Sequence, residues 1–204
     1  MNDPVARFLE DTAAAGSWPG AAWVVEERGR ALSGGAVGLR ALVPQTHPAL
    51  ADTIYDLASL TKPLATAPLL ALLEEEGRLS LDAPAASFLP GLACDRGGSP
   101  TLLDLALHRS GLPAWRPFYA FANTQEEILN AVMRLEPVAP CGAQVLYSDP
   151  GYILLGEILR RVSGRGIDVL FNERLAAPLG LDTLGFRPRA SLKERIAQIG
   201  RAHV

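Results

Sequence analysis

Strand pattern occurs once in this chain and then stops. Ala21-Ala22-Trp23-Val24-Val25-Glu26-Glu27 reads as a strand, Arg28-Gly29 as a turn, and Arg30 to Gly38 as the partner strand. The later apolar segments read as helices joined by Pro- and Gly-rich loops. Two strands cannot bury both of their faces, and an isolated hairpin is marginal in water. The sequence therefore predicts an α+β fold. An N-terminal helix and a β-hairpin start an incomplete antiparallel sheet, an all-helical region follows, and the sheet looks unfinished on its C-terminal side.

The helices are legible from their ends. Asp3-Pro4 supplies an N-cap and a first-turn proline for a helix to about Ala15. A buried helix runs from about Ser59 to Glu76 and stops at Gly77, with Pro63 tolerated because it falls in the first turn. Thr101–His108 forms another helix. Thr124-Gln125-Glu126-Glu127 is a capping box for a helix to about Leu135. Asp149-Pro150 reads as N-cap and first position of a helix to about Ser163, stopped by Gly164, and Ile167–Leu175 follows. Residues 39–58 read as a polar connector.

Composition excludes several functions. Nineteen basic against 22 acidic residues give a net charge of −3, with no basic tract for nucleic acid or for an anionic membrane. The longest apolar run, Pro63–Leu73, is too short to span a bilayer. Met1-Asn2-Asp3-Pro4 has neither the basic region nor the apolar core of a signal peptide, so the expected location is the cytoplasm. Cys94 and Cys141 lack metal-ligand spacing and read as free thiols. His47, His108 and His203 are scattered and read as structural or solvated, so neither a metal nor another cofactor is expected.

Ser59-Leu60-Thr61-Lys62-Pro63 is where chemistry first appears. A serine three residues before a lysine at a helix start puts a hydroxyl and an amine on one face. Such a lysine could take the serine proton if it were neutral, which requires its pKa to fall; burial beside apolar residues disfavours the charged form. Alternatively, Ser59 is simply an N-cap. A second cluster, Tyr147-Ser148-Asp149-Pro150, places a tyrosine and a short polar side chain just before a helix, where both can face a cleft. Tyr147 could carry a second proton, and Asp149 suits an N-cap. No Gly-x-Ser-x-Gly elbow, Walker A or Gly-x-Gly-x-x-Gly pattern is present.

Taken together, Ser59-Leu60-Thr61-Lys62 and Tyr147-Ser148-Asp149 resemble the serine β-lactamase and penicillin-binding-protein superfamily. The nearest branch is the class C β-lactamases with their esterase and D-alanyl-D-alanine-peptidase relatives. Ile54-Tyr55-Asp56-Leu57-Ala58, Leu107-His108-Arg109-Ser110-Gly111-Leu112-Pro113 and Gly151-Tyr152-Ile153-Leu154-Leu155-Gly156-Glu157 extend the likeness over roughly residues 5 to 197. It implies a β-lactamase/transpeptidase-like fold and acyl transfer through an acyl-serine. Ser59 would be the nucleophile, with its backbone N–H as half of an oxyanion hole. Lys62 would be the neutral amine that helps deprotonate it, and Tyr147 a proton relay to the leaving group. Asp149, auxiliary at most, stands where the family usually has Asn. It either points away as a cap or, beside Lys62, opposes that lysine's deprotonation. Trp115, Phe118 and Tyr119 are expected to pack in the helical region rather than line a cleft.

The resemblance also implies a later strand carrying Lys-Thr-Gly or His-x-Gly, and neither motif follows Tyr147. Gln198–Val204 shows no folding logic and matches one frame of a common sequencing adapter, so the natural gene is expected to continue, with C-terminal strands and a helix beyond. A chain ending here is expected to turn over little substrate and to expose apolar surface on the hairpin and the buried helix. The expected organisation is 1–58 as the start of the sheet domain, 59–80 as the helix bearing Ser59 and Lys62, 81–190 as a helical domain, and 191–204 as a return segment. The expected partner is a small acyl substrate (an ester, a D-alanyl peptide or a β-lactam), with no nucleic acid and no membrane. The competing reading is a non-catalytic binding module on the same scaffold.

Overall fold

The computed structural model describes residues 3–92 and 98–198; Cys94 and the tail 199–204 therefore lie outside the described residues. It divides into two compact units, one of residues 1–58 with 187–204 and one of residues 59–186.

The first unit is built on the predicted hairpin. Strand β1 (Gly20–Glu27) pairs antiparallel with β2 (Arg30–Ala41), and a two-residue β3 (His47–Pro48) extends the sheet in the order β1-β2-β3. Arg28 and Gly29 both have positive φ, 50° and 78°, which is the turn twist that matches two-residue hairpins. Helix α1 (Pro4–Ala14) packs on β2. Its start is tied to the sheet by Asp3, whose carboxylate accepts the Val5 N–H at 2.9 Å and the Ser33 hydroxyl, while the Trp23 indole N–H donates to that hydroxyl at 3.3 Å. The return segment adds a parallel bridge between Ile54 and Ile196. Gln198, which the sequence groups with the tail, is held here: its N–H donates to Arg40 O at 2.6 Å and its side-chain oxygen accepts the Leu42 N–H at 2.9 Å. The hairpin does expose apolar side chains, Val24 and Leu32 among them.

The second unit is helical. Ala58–Leu60 makes a single 3-10 turn, Lys62–Thr66 a wide π turn, and α2 (Ala67–Glu75) continues it to Gly77. The wide turn has a local cause. Pro68 has no N–H for the Leu64 carbonyl, and the Ala67 N–H reaches back to Lys62 O instead. Helices α3 (Leu102–Ala106), α4 (Gln125–Met133), α5 (Asp149–Ser163) and α6 (Ile167–Phe171) follow. Both Thr101 and Thr124 head complete capping boxes, with Asp104 and Glu127 as partners. Gly164 ends α5 in the left-handed conformation that a side chain would strain.

The core is formed by Leu69, Leu70 and Leu73 of α2 against Leu102 and Leu105 of α3, Val132 of α4 and Leu154, Leu155, Ile158 and Leu159 of α5. The expectation that the helix from Ser59 would expose apolar surface is met at Leu60 and Leu64, which are exposed, but not at Leu69, Leu70 and Leu73, which are buried in this core. One carboxylate, Glu157, is buried at the edge of this core, and Arg160 and Arg161 neutralise it at 2.7 and 2.6 Å. Leu154 is fully buried between α5 and its neighbours. Leu154→Ala is expected to cost about 2–5 kcal/mol, from lost transfer energy plus a cavity; urea unfolding followed by circular dichroism measures it.

Candidate active site

Ser59, Lys62, Tyr147 and Asp149 all belong to the helical unit, and the fold brings them together. Ser59 lies on the 3-10 turn and is exposed. The residue before it, Ala58, has φ +46°, an uncommon conformation for a residue with a Cβ. The Asp56 carboxylate accepts the Ala58 N–H at 2.7 Å and supports this backbone. Ser59 is thus part of a built turn and not an N-cap: the first residue of the wide turn is Lys62, and no side chain caps it.

Lys62 sits at the head of that wide turn, which packs on α5. Its ammonium donates to Ser59 Oγ at 3.2 Å and to Asp149 Oδ1 at 2.7 Å. It also lies 4.8 Å from the ring centre of Tyr147 and 5.5 Å from that of Tyr152. Burial pulls its pKa down, but the hydrogen bonds and charges of Asp149 and Tyr147 outweigh burial and leave it above 10.5. The carboxylate of Asp149 thus favours the charged form of Lys62, opposite to the neutral amine that the resemblance implies.

Asp149 is not the N-cap of α5; Ser148 is. Ser148 has extended backbone angles, and its hydroxyl accepts the Gly151 N–H at 3.2 Å. The same hydroxyl donates to Pro113 O at 2.9 Å, so this buried group is satisfied on both sides. Asp149 then occupies the first helical position, where its charge suits the helix dipole, and its carboxylate is released to meet Lys62. Pro150 follows in the first turn, where a missing N–H costs nothing.

Tyr147 projects beside this pair. Hydrogen bonds from Lys62 and from Ser59 to the phenolic oxygen hold its pKa below the usual 10.0. Its backbone is held by the segment 108–114. The Leu146 N–H donates to His108 O at 2.8 Å, and the Ser148 N–H to His108 Nδ1 at 3.0 Å. Gly111 shapes that segment. It has φ +77°, and a Cβ there would meet Ala139 O at 2.1 Å.

His108 and Tyr152 are the residues that sequence reasoning passed over. His108 lies 4.4 Å ring to ring from Tyr147 and 5.1 Å from Tyr152, whose hydroxyl donates to Ala106 O at 3.0 Å. The available signal was position: His108 directly follows a helix and precedes Gly111 by three residues, within the stretch that carries the family likeness. The expected packing of the aromatic cluster holds only for Phe118, which is buried; Trp115 and Tyr119 are 53% and 77% exposed, with ring centres 6.3 Å apart. The Cys141 Sγ–H donates to Asp104 Oδ2 at 3.4 Å. Among the described residues, no helix is long and apolar enough to cross a membrane.

With this geometry established, comparison with known proteins is decisive. The Beta-lactamase family model matches residues 5–204. The chain belongs to the Beta-lactamase family. A class C beta lactamase from Rhodobacter sphaeroides superposes with a TM-score of 0.80 at 30% identity, over 94% of this chain and 53% of that one. An N-acetylmuramyl-L-alanine amidase of Bacillus subtilis (strain 168) is 29% identical over 90% of this chain and 46% of its own length. A putative D-alanyl-D-alanine carboxypeptidase of Escherichia coli (strain K12) is 34% identical over 72% of this chain and 37% of its own length. The chain thus spans about half the length, or less, of the relatives it matches. The α+β architecture and the resemblance read from the sequence agree with this family.

Asp149 is the carboxylate hydrogen-bonded to Lys62. A raised lysine pKa stabilises the fold below the unfolded value and is lost as pH rises through the folded one. Asp149→Asn is expected to lower the titration midpoint of Lys62 from its position above 10.5. The chain has only two lysines, Lys62 and Lys193, so 13C-lysine NMR resolves the change directly. An unchanged midpoint would show that Asp149 does not control this charge.

Proposed function

We propose that this chain carries the nucleophile-bearing part of a serine hydrolase that works through an acyl-serine intermediate. The observation that supports it most is the convergence of Ser59, Lys62 and Tyr147, with Lys62 Nζ 3.2 Å from Ser59 Oγ and 4.8 Å from the centre of the Tyr147 ring.

Lys62, held as an ammonium, has no lone pair to offer. Tyr147 is the better base, since the adjacent ammonium stabilises its phenolate. In this scheme Ser59 Oγ attacks the substrate carbonyl carbon while its proton passes to the Tyr147 phenolate. The tetrahedral oxyanion is met by the Ser59 backbone N–H, the half-hole that the family resemblance implies. Collapse breaks the bond to the leaving group, which takes the proton from Tyr147. A water then loses its proton to Tyr147 and attacks the acyl carbon, and Ser59 departs and recovers that proton. Lys62 stays charged throughout, and Asp149 keeps it so.

The substrate class is a small acyl compound: an ester, a D-alanyl peptide or a β-lactam. The names of the relatives support this range, which includes a carboxypeptidase, an amidase and a class C beta lactamase. Labelling with a fluorophosphonate and with fluorescent penicillin, read by peptide mass spectrometry, tests it. The adduct is expected on Ser59 and is expected to vanish in Ser59→Ala. Tyr147→Phe is expected to slow acylation by about 10²–10⁴-fold, the usual contribution of a positioned proton carrier. Failure of both probes to label Ser59 would favour a non-catalytic binding module instead.

A further inference from the structure

His108 occupies an unusual place. Helix α3 ends in a complete Schellman turn, in which the His108 N–H donates to Leu105 O at 3.2 Å and the Arg109 N–H to Asp104 O at 2.7 Å. In that turn the residue after the cap is left-handed, and His108 has φ +58°. Glycine fits this position without strain, and asparagine fits it better than most other residues. A histidine therefore needs a reason from its side chain.

The side chain supplies one. His108 contacts Tyr147 and both of its chain neighbours: its carbonyl accepts the N–H of Leu146, its Nδ1 accepts the N–H of Ser148, and its ring lies 4.4 Å from the Tyr147 ring. Both chain neighbours of the tyrosine and the aromatic ring itself are thus fixed by one residue. On its other side the imidazole meets Tyr152, 5.1 Å away, whose hydroxyl is anchored on Ala106 O. Because Nδ1 accepts a backbone N–H, the proton of the neutral ring is on Nε2.

We propose that His108 is the positioning residue for Tyr147, and that it does so only as a neutral imidazole. Protonating Nδ1 would set two N–H donors against each other, His108 and Ser148, and release the backbone that aims the phenol. The charged and titratable groups around the ring are Lys62 from the wide turn before α2, Asp149 and Tyr152 from α5, Tyr147 itself, and Asp104 and Arg109 near the end of α3. Burial, with the Lys62 charge adding to it, keeps the imidazole below its ordinary 6.5, and the Asp149 charge opposes this less strongly. A base whose folded pKa is depressed contributes stability above its unfolded value, and that stability is lost as pH falls from about 6.5 toward the folded value. The device switches off on the acid side.

The link to reactivity rests on the acyl-serine reading; the geometry does not. The test therefore uses two readouts on the chain and on two variants, His108→Gly and His108→Asn. The first is NMR of 15N-histidine and 13C-tyrosine across pH. The second is the rate of Ser59 labelling by a fluorophosphonate. His108→Gly relieves the left-handed backbone, which offsets part of the cost of leaving the Ser148 N–H without its acceptor, and circular dichroism checks that it folds. This variant is expected to shift the Tyr147 resonances and to slow labelling by about 10²-fold, the usual loss when a reacting group is misplaced by an ångström. His108→Asn keeps an acceptor near the Nδ1 position and tolerates φ > 0. It is expected to restore the tyrosine resonances and most of the rate, and to abolish the fall in rate on the acid side that the parent shows as His108 titrates. A His108→Gly variant with parental labelling and parental Tyr147 resonances overturns the proposal. So does an acid-side fall that persists unchanged in His108→Asn. If the parent is not labelled at all, the acyl-serine reading fails and the NMR arm alone decides: tyrosine resonances that move in His108→Gly and return in His108→Asn support positioning, and resonances indifferent to both refute it.

Discussion

The site depends on how the start of α5 is fastened. The Leu146 N–H reaches His108 O, the Ser148 N–H reaches His108 Nδ1, the Ser148 hydroxyl reaches Pro113 O, and the Asp149 N–H reaches Ala114 O. These contacts strap residues 146, 148 and 149, which flank Tyr147, to the segment after α3. Each donor is a backbone or hydroxyl group that would be costly to bury unpaired, and Ser148 is almost fully buried. Loss of any one strap would leave an unsatisfied donor as well as a loose phenol. The packing of α3 and of the wide turn at Lys62 on α5 supplies the rest of the framework.

Charge follows from this framework. Once Ser148 takes the cap, Asp149 is left with a free carboxylate one residue inside the helix, and the closest cation is Lys62 at 2.7 Å. Burial alone would have favoured a neutral amine, and the carboxylate reverses that balance. The same ammonium helps hold the Tyr147 phenol below its usual 10.0. Under the proposed acyl-serine scheme, this is what makes Tyr147 rather than Lys62 the base.

Much of the fold is legible because its signals are local. The hairpin follows from one alternating stretch with Arg28-Gly29 between its arms. The helix starts at Thr101 and Thr124 follow from capping boxes, whose partners lie three residues apart. The start of α5 was harder. Ser148 and Asp149 are both good caps, and sequence favours the residue directly before Pro150; the choice of Ser148 is made by Pro113 O, which offers its hydroxyl a second partner. The roles of His108 and Tyr152 were illegible for a similar reason, since each acts through residues about 40 or more positions away. Trp115 and Tyr119 look like core residues by type, and only the path of the 111–121 segment leaves them exposed.

The sequence by itself determined the kind of elements, the candidate serine, lysine and tyrosine, and the family they indicate, because these rest on spacing within a few residues and on residue type. The tertiary structure decided the carboxylate partner of Lys62, the cap of α5 and the contacts that His108 makes around Tyr147. Those depend on which distant groups come within about 3 Å, a distance at which hydrogen bonds and charge pairs set protonation states.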